Sequence, residues 1–149
     1  MTLKGYLTKL DPERILLKTP ASTVRVSELL AHPPVDAFAG LRVALCYECA
    51  ERAIEALVAL DGAVAQLVFL STYSDDEALG ALVARSECDV VLSDTGARLD
   101  AVCDVPVVGS IDQLPELDLG ASKVSGATRW VMTTSGTTGT PKLVAHSFE

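Results

Sequence analysis

The sequence predicts an α/β architecture, a partial, parallel-rich sheet with flanking helices that ends in a strand–loop–strand hairpin. Three observations carry this. Short apolar runs of strand length alternate with segments whose apolar residues recur at helical spacing. The strand runs are continuously apolar, as in sheets buried on both faces. Finally, 49% of the 149 residues are hydrophobic, enough for a core at a length where roughly 70% of the unfolded surface is hidden. The chain reads as one domain over 1–149: an irregular segment at 1–40, βα repeats at 41–109, and a strand–loop–strand unit at 127–149.

Ile15–Leu17 and Thr23–Val26 read as short extended pieces, with Ser27 as N-cap of a brief helix through Leu29 and Leu30. His32-Pro33-Pro34 stops that helix, because each proline lacks a backbone donor and pushes its predecessor out of the helical region; a linker runs on to Gly40. Arg42–Cys46 is a strand, and Ala50, Ile54, Leu57 and Val58 follow at helical spacing up to an Asp61-Gly62 stop. Val64–Leu70 is the next strand. Ser74-Asp75-Asp76-Glu77 then has the S-x-x-E capping-box form before Leu79, Leu82 and Val83. Asp89–Ser93 and Val105–Val108 add two short strands, and a loop-like stretch extends beyond Gly109 to Gly126. Arg129–Thr133 and Leu143–His146 read as strands flanking a Ser/Thr/Gly run.

Composition excludes several function classes. Twelve Lys+Arg against 20 Asp+Glu give a net charge of −8, and no basic stripe is present to displace counterions from nucleic acid. The most apolar region, Ile54–Leu70, is broken by Glu55, Asp61, Gly62 and Gln66, so no membrane span is expected. Met1–Arg14 lacks the apolar centre of a signal peptide, and Cys46, Cys49, Cys88 and Cys103 are too few to demand a disulfide scaffold. A cytoplasmic location is expected.

Chemistry concentrates in Thr133-Thr134-Ser135-Gly136-Thr137-Thr138-Gly139-Thr140-Pro141-Lys142, where six hydroxyl side chains, two glycines and a lysine lie between two strands. A polyphosphate suits this composition. Glycines let backbone N–H groups approach an anion, hydroxyls donate hydrogen bonds, Lys142 adds a compact positive charge, and Pro141 stiffens the exit. It is not a Walker A loop: Pro141 stands where the second glycine would be, and Lys142 is followed by Leu143 rather than Ser or Thr.

Other constellations read more plainly. Cys46-Tyr47-Glu48-Cys49 is a C-x-x-C that admits a redox pair. The more ordinary reading is two small side chains at a strand-to-helix turn. Cys88 and Cys103 lack zinc-like spacing, and His32 and His146 stand far from any ligand set, so no metal site is expected. Asp75-Asp76-Glu77 complements a helix dipole, and Ser135 lacks the G-x-S-x-G elbow of a nucleophile.

Thr134-Ser135-Gly136-Thr137-Thr138-Gly139-Thr140-Pro141-Lys142 resembles the signature loop of the acyl-adenylate-forming (AMP-binding) enzymes: acyl- and aryl-CoA ligases, luciferases and nonribosomal peptide adenylation domains. Arg42–Leu45, Ala53–Gly62 and Asp89–Asp94 are similar, more weakly, to that family's opening region. The resemblance implies part of the large N-terminal domain of such an enzyme. It further implies that the loop grips the β- and γ-phosphates of ATP, usually with Mg²⁺, while a substrate carboxylate attacks the α-phosphorus to form acyl-AMP and pyrophosphate. A thiol of CoA or of a carrier protein's phosphopantetheine then accepts the acyl group. Carried over by position, Thr134, Ser135, Thr137, Thr138 and Thr140 supply hydroxyls, Gly136 and Gly139 backbone approach, and Lys142 charge. Two departures stand out: Leu143 replaces a common glycine, and Ala63–Leu67 lacks a proline-containing turn. The family's adenine pocket, ribose-binding aspartate, magnesium-holding glutamate and late catalytic lysine fall after Glu149, so the domain is expected to be incomplete and inactive alone. An edge left unpaired at the last strand favours self-association. The alternative is a stand-alone, non-catalytic interaction or phosphate-binding domain.

Overall fold

The computed structural model describes residues 1–32, 35–113, 127–134 and 141–146. Its centre is a six-stranded sheet built from β3 (Arg42–Cys46), β4 (Gln66–Phe69), β5 (Val90–Ser93), β6 (Val107–Val108), β7 (Arg129–Thr134) and β8 (Lys142–His146), in the order β6-β5-β3-β4-β7-β8. All neighbours run parallel except β7 and β8. The fold class read from the sequence is therefore the one observed.

Strand alternation sorts the core into two layers. Val43, Leu45, Leu67, Val90 and Leu92 face helix α3 (Ala50–Leu60), which contributes Ala56 and Leu60. Ala44, Cys46, Val68 and Val91 face the other way. There they meet α4 (Asp76–Arg85), through Leu79, Leu82 and Val83, and α5 (Gly96–Asp100), through Leu99. With both faces covered the strands need no polar face, which is why they read as continuous apolar runs. Each fully buried Leu or Val is worth roughly 1.5–3 kcal/mol.

In the segment at 1–40 the two expected extended pieces pair as a hairpin of β1 (Ile15–Lys18) and β2 (Thr23–Arg25) and the expected brief helix is α2 (Val26–Leu30), while α1 (Leu3–Leu7) precedes them without having been expected. Leu7, Val24, Val26 and Leu29 pack with Val58 of α3, forming a small outer core. The helix read as capped by Ser27 starts two residues earlier: the Glu28 carboxylate accepts the Arg25 backbone N–H at 2.6 Å, making Arg25 the N-cap. The expected linker to Gly40 contains a 3₁₀ turn, Asp36–Phe38, because Phe38 is fully buried in the α3-side core. The α4 cap also shifts. Asp75, not Ser74, accepts the Ala78 N–H, at 2.7 Å. Pro33, Pro34 and most of the stretch beyond Gly109 lie outside the described residues.

Long-range polar contacts stitch the layers. The Asp61-Gly62 stop holds, with Gly62 at φ +89° in the left-handed region. The Gly62 N–H donates to Thr128 Oγ1 at 2.7 Å, and that hydroxyl donates to the Val64 carbonyl at 2.8 Å, seating the start of β7 against the α3–β4 turn.

The β1–β2 turn is tied to α3 through Glu51. Its carboxylate accepts from Thr19 Oγ1 at 2.7 Å, from Ser22 Oγ, and from Cys49 Sγ at 3.2 Å. These donors, led by the Ser22 and Thr19 hydroxyls, lower the Glu51 pKa to about 2. A depressed folded pKa means the contribution is complete above the unfolded value near 4.5 and is lost as pH falls toward 2. Thermal melts over that window are expected to show a steeper acid loss for the parent chain than for Glu51→Gln. Parallel curves for the two proteins would contradict the tie.

Candidate functional site

Parallel strands aim their carboxyl ends at one edge of the sheet, where open α/β folds bind ligands, commonly at the crevice where connections diverge. Here that crevice lies between β3, which connects through α3 to one side, and β5, which connects through α5 to the other. It is internally satisfied. Asp94, just after β5, accepts the backbone N–H groups of Glu48 at 2.8 Å and Cys49 at 2.9 Å, so a carboxylate of the chain itself occupies the anion-seeking start of α3.

The second feature on this edge is the β7–β8 hairpin. Thr134 and Lys142 are register partners that close the ladder, and Thr134 Oγ1 lies 3.5 Å from the Lys142 carbonyl. Both residues are exposed. Of the predicted site residues the structure thus brings these two together. Ser135, Gly136, Thr137, Thr138, Gly139 and Thr140 lie outside the described residues. Leu143, the departure from the expected glycine, is half-buried and packs against the α4-side core, so this position anchors β8.

The flanking β4–α4 loop is clamped by Arg98 of α5. Its guanidinium donates to the Thr72 carbonyl at 2.8 Å, to the Ser74 carbonyl and to Asp76. Tyr73, between those two carbonyls, is fully exposed at the loop tip. Two cavities that sequence reasoning did not anticipate open near the same edge. One, of about 310 Å³, is lined by Tyr47, Arg52, Glu55, Ser110 and Gln113; burial, reinforced by Asp94, raises the Tyr47 phenol to about 12. The other, of about 320 Å³, is apolar and lined by Leu45, Tyr47, Ile54, Leu57, Phe69 and Leu70. Neither had a local signal, since each joins residues distant in sequence.

The C-x-x-C resolves as two thiols in different settings. Cys46 is buried on the α4 side and desolvation raises it to about 11, whereas Cys49 is partly exposed and donates to Glu51. A buried, protonated Cys46 supports the ordinary reading over a redox pair. His146 is exposed on β8. Among the described residues, no helix is long and apolar enough to cross a membrane.

Neither a family model nor a curated protein matches the sequence. Solved structures do. The o-succinylbenzoate CoA synthetase MenE from Bacillus subtilis, in complex with AMP, aligns with a TM-score of 0.71 at 24% identity over 97% of this chain and 42% of that one. VinN aligns at 0.69 and 22% identity over 96% and 42%, respectively. The NpsA N-terminal subdomain of Klebsiella oxytoca aligns at 0.66 and 19% over 95% and 38%. The chain thus spans about two fifths of these structures. At these identities the likeness is one of architecture, and the chain has the fold of part of the N-terminal subdomain of adenylate-forming enzymes, the group its Thr134–Lys142 segment resembles.

Proposed function

We propose that the chain is the N-terminal portion of an ATP-dependent carboxylic acid ligase that forms an acyl-AMP and pyrophosphate and then an acyl thioester with CoA or a carrier-protein pantetheine. One observation carries the reading: in a fold shared with adenylate-forming enzymes, the ends of the Thr134–Lys142 segment stand side by side at the carboxyl edge of the parallel sheet. Structural neighbours held AMP and, in another MenE structure, the acyl-adenylate OSB-AMP.

In this proposal the β- and γ-phosphates of ATP are met by the hydroxyls of Thr134, Ser135, Thr137, Thr138 and Thr140, by backbone N–H groups at Gly136 and Gly139, and by the Lys142 ammonium. A carboxylate oxygen bonds to the α-phosphorus as the bond to the bridging oxygen breaks, and the departing pyrophosphate takes up the negative charge. Donors already aimed at that charge lower the barrier because they need no reorganisation. Mg²⁺ accompanies ATP in the complete enzyme. Among the described residues no group of three or more His, Cys, Asp or Glu could hold a metal ion. The acid and thiol sites are assigned to the remainder of the enzyme, so the chain alone forms no acyl-AMP.

The chain is expected to bind ATP or pyrophosphate saturably in calorimetry. Continued to the length of its structural neighbours, it is expected to exchange pyrophosphate into ATP when given its carboxylic acid. Failure of the extended protein to exchange with every acid class would reject the ligase and leave a non-catalytic phosphate-binding domain. The outer edge of β8, last in the sheet order, supports self-association of this chain, and the four free thiols are consistent with a cytoplasmic setting.

A further inference from the structure

We infer that Arg85 is a positioning residue for Lys142, an assignment that rests on the phosphate-binding reading above. Arg85 is the last residue of α4, and its Nη1 donates to the Pro141 carbonyl at 3.2 Å. The contact belongs to a larger seat. Asp75, Glu77, Ala78, Leu82 and Arg85 line, with Pro141, a groove of about 280 Å³, and two residues beyond Pro141 the Leu143 side chain packs against the α4-side core. Lys142 is thus bracketed, the preceding carbonyl hydrogen-bonded to α4 and the following side chain half-buried against the α4-side core. Alternation along β8 sends the Lys142 side chain to the opposite face of the sheet. A lysine is a flexible point charge, and fixing its backbone on both sides reduces the freedom its ammonium must lose on meeting an anion. Among the described residues Arg85, like Arg14, Arg52 and Arg129, has no carboxylate within ion-pair distance, whereas Arg25 and Arg98 each have one and Arg42 has two. With no ion pair of its own, the Arg85 guanidinium is free to donate to the Pro141 carbonyl.

The test is a double-mutant cycle on the whole chain, with inorganic pyrophosphate as the calorimetric probe and a thermal melt on each variant. Arg85→Ala is expected to weaken binding roughly fivefold, the effect of one hydrogen bond. Arg85→Lys, which keeps a donor at the helix end, is expected to recover most of it. In a Lys142→Ala background Arg85→Ala is expected to add nothing, because the residue through which it acts is gone. Full additivity would overturn the assignment in favour of direct contact with the anion. Unchanged binding with a lowered melting temperature would overturn it in favour of a purely structural tie. If the parent chain binds no pyrophosphate, the phosphate-binding reading falls and the inference falls with it; if the parent binds and Arg85→Ala binds equally well, the inference alone falls.

Discussion

Asp61→Ala is expected to lower the unfolding free energy by about 3 kcal/mol, the cost of removing one buried acceptor that serves two donors. Asp61 closes α3 and is only 8% exposed. One carboxylate oxygen accepts the Leu3 N–H at 2.6 Å and the other accepts the Trp130 indole N–H at 2.9 Å. The side chain therefore joins three parts of the molecule: the N-terminal helix, the end of α3 and strand β7. Asp61→Asn keeps one acceptor oxygen and is expected to lose about half as much. Trp130 is the chain's single tryptophan and packs edge-on against Phe69 at 5.6 Å, so urea unfolding followed by its fluorescence reports on the affected joint directly. A loss below about 1 kcal/mol would mean that water replaces the carboxylate at little cost.

Gly80→Ala is expected to destabilise by about 2 kcal/mol, against the direction helix propensity predicts. In the middle of α4 the exchange should gain up to about 1 kcal/mol. A Cβ built at Gly80, however, meets the Val102 carbonyl oxygen at 2.5 Å and the Val102 Cβ at 3.6 Å. The obstacle is backbone of the segment following α5, so relief requires α4 and α5 to move apart over the Leu79, Leu82, Val83 and Leu99 core. Overpacking of this kind costs about 1–3 kcal/mol. Differential scanning should show the midpoint falling by about 5 °C. An unchanged or raised midpoint would show that the two helices are not held at this spacing.

Local chemistry determined the parts of the molecule that were legible without a structure. Arg42–Cys46 is recognisable because both faces of β3 are buried, leaving no polar residue after Arg42 to blur the pattern. The Asp61-Gly62 stop is legible because the left-handed turn favours a residue with no Cβ, and glycine alone lacks one. The hydroxyl- and glycine-rich run between Thr134 and Lys142 is informative for the same reason, since the anion binding proposed for it rests on residue types at consecutive positions.

Where several local choices compete, tertiary contacts decide. Ser74 and Asp75 are both good caps, and Arg98 reaching from α5 to the Ser74 carbonyl and to Asp76 accompanies the choice of Asp75. The C-x-x-C read as a redox pair or as two small packed side chains until the fold buried the Cys46 thiol and gave Cys49 to Glu51. The sequence by itself determined the fold class, the main strands and the chemical character of the loop, because each depends on periodicity or residue type within one segment. Only the tertiary structure decided that Asp94 fills the β3/β5 crevice, that Asp61 joins Leu3 to Trp130, and that Arg85 reaches Pro141. Those partners lie 45 to 69 residues apart, and no local pattern encodes a contact that exists only once the sheet has brought both ends together.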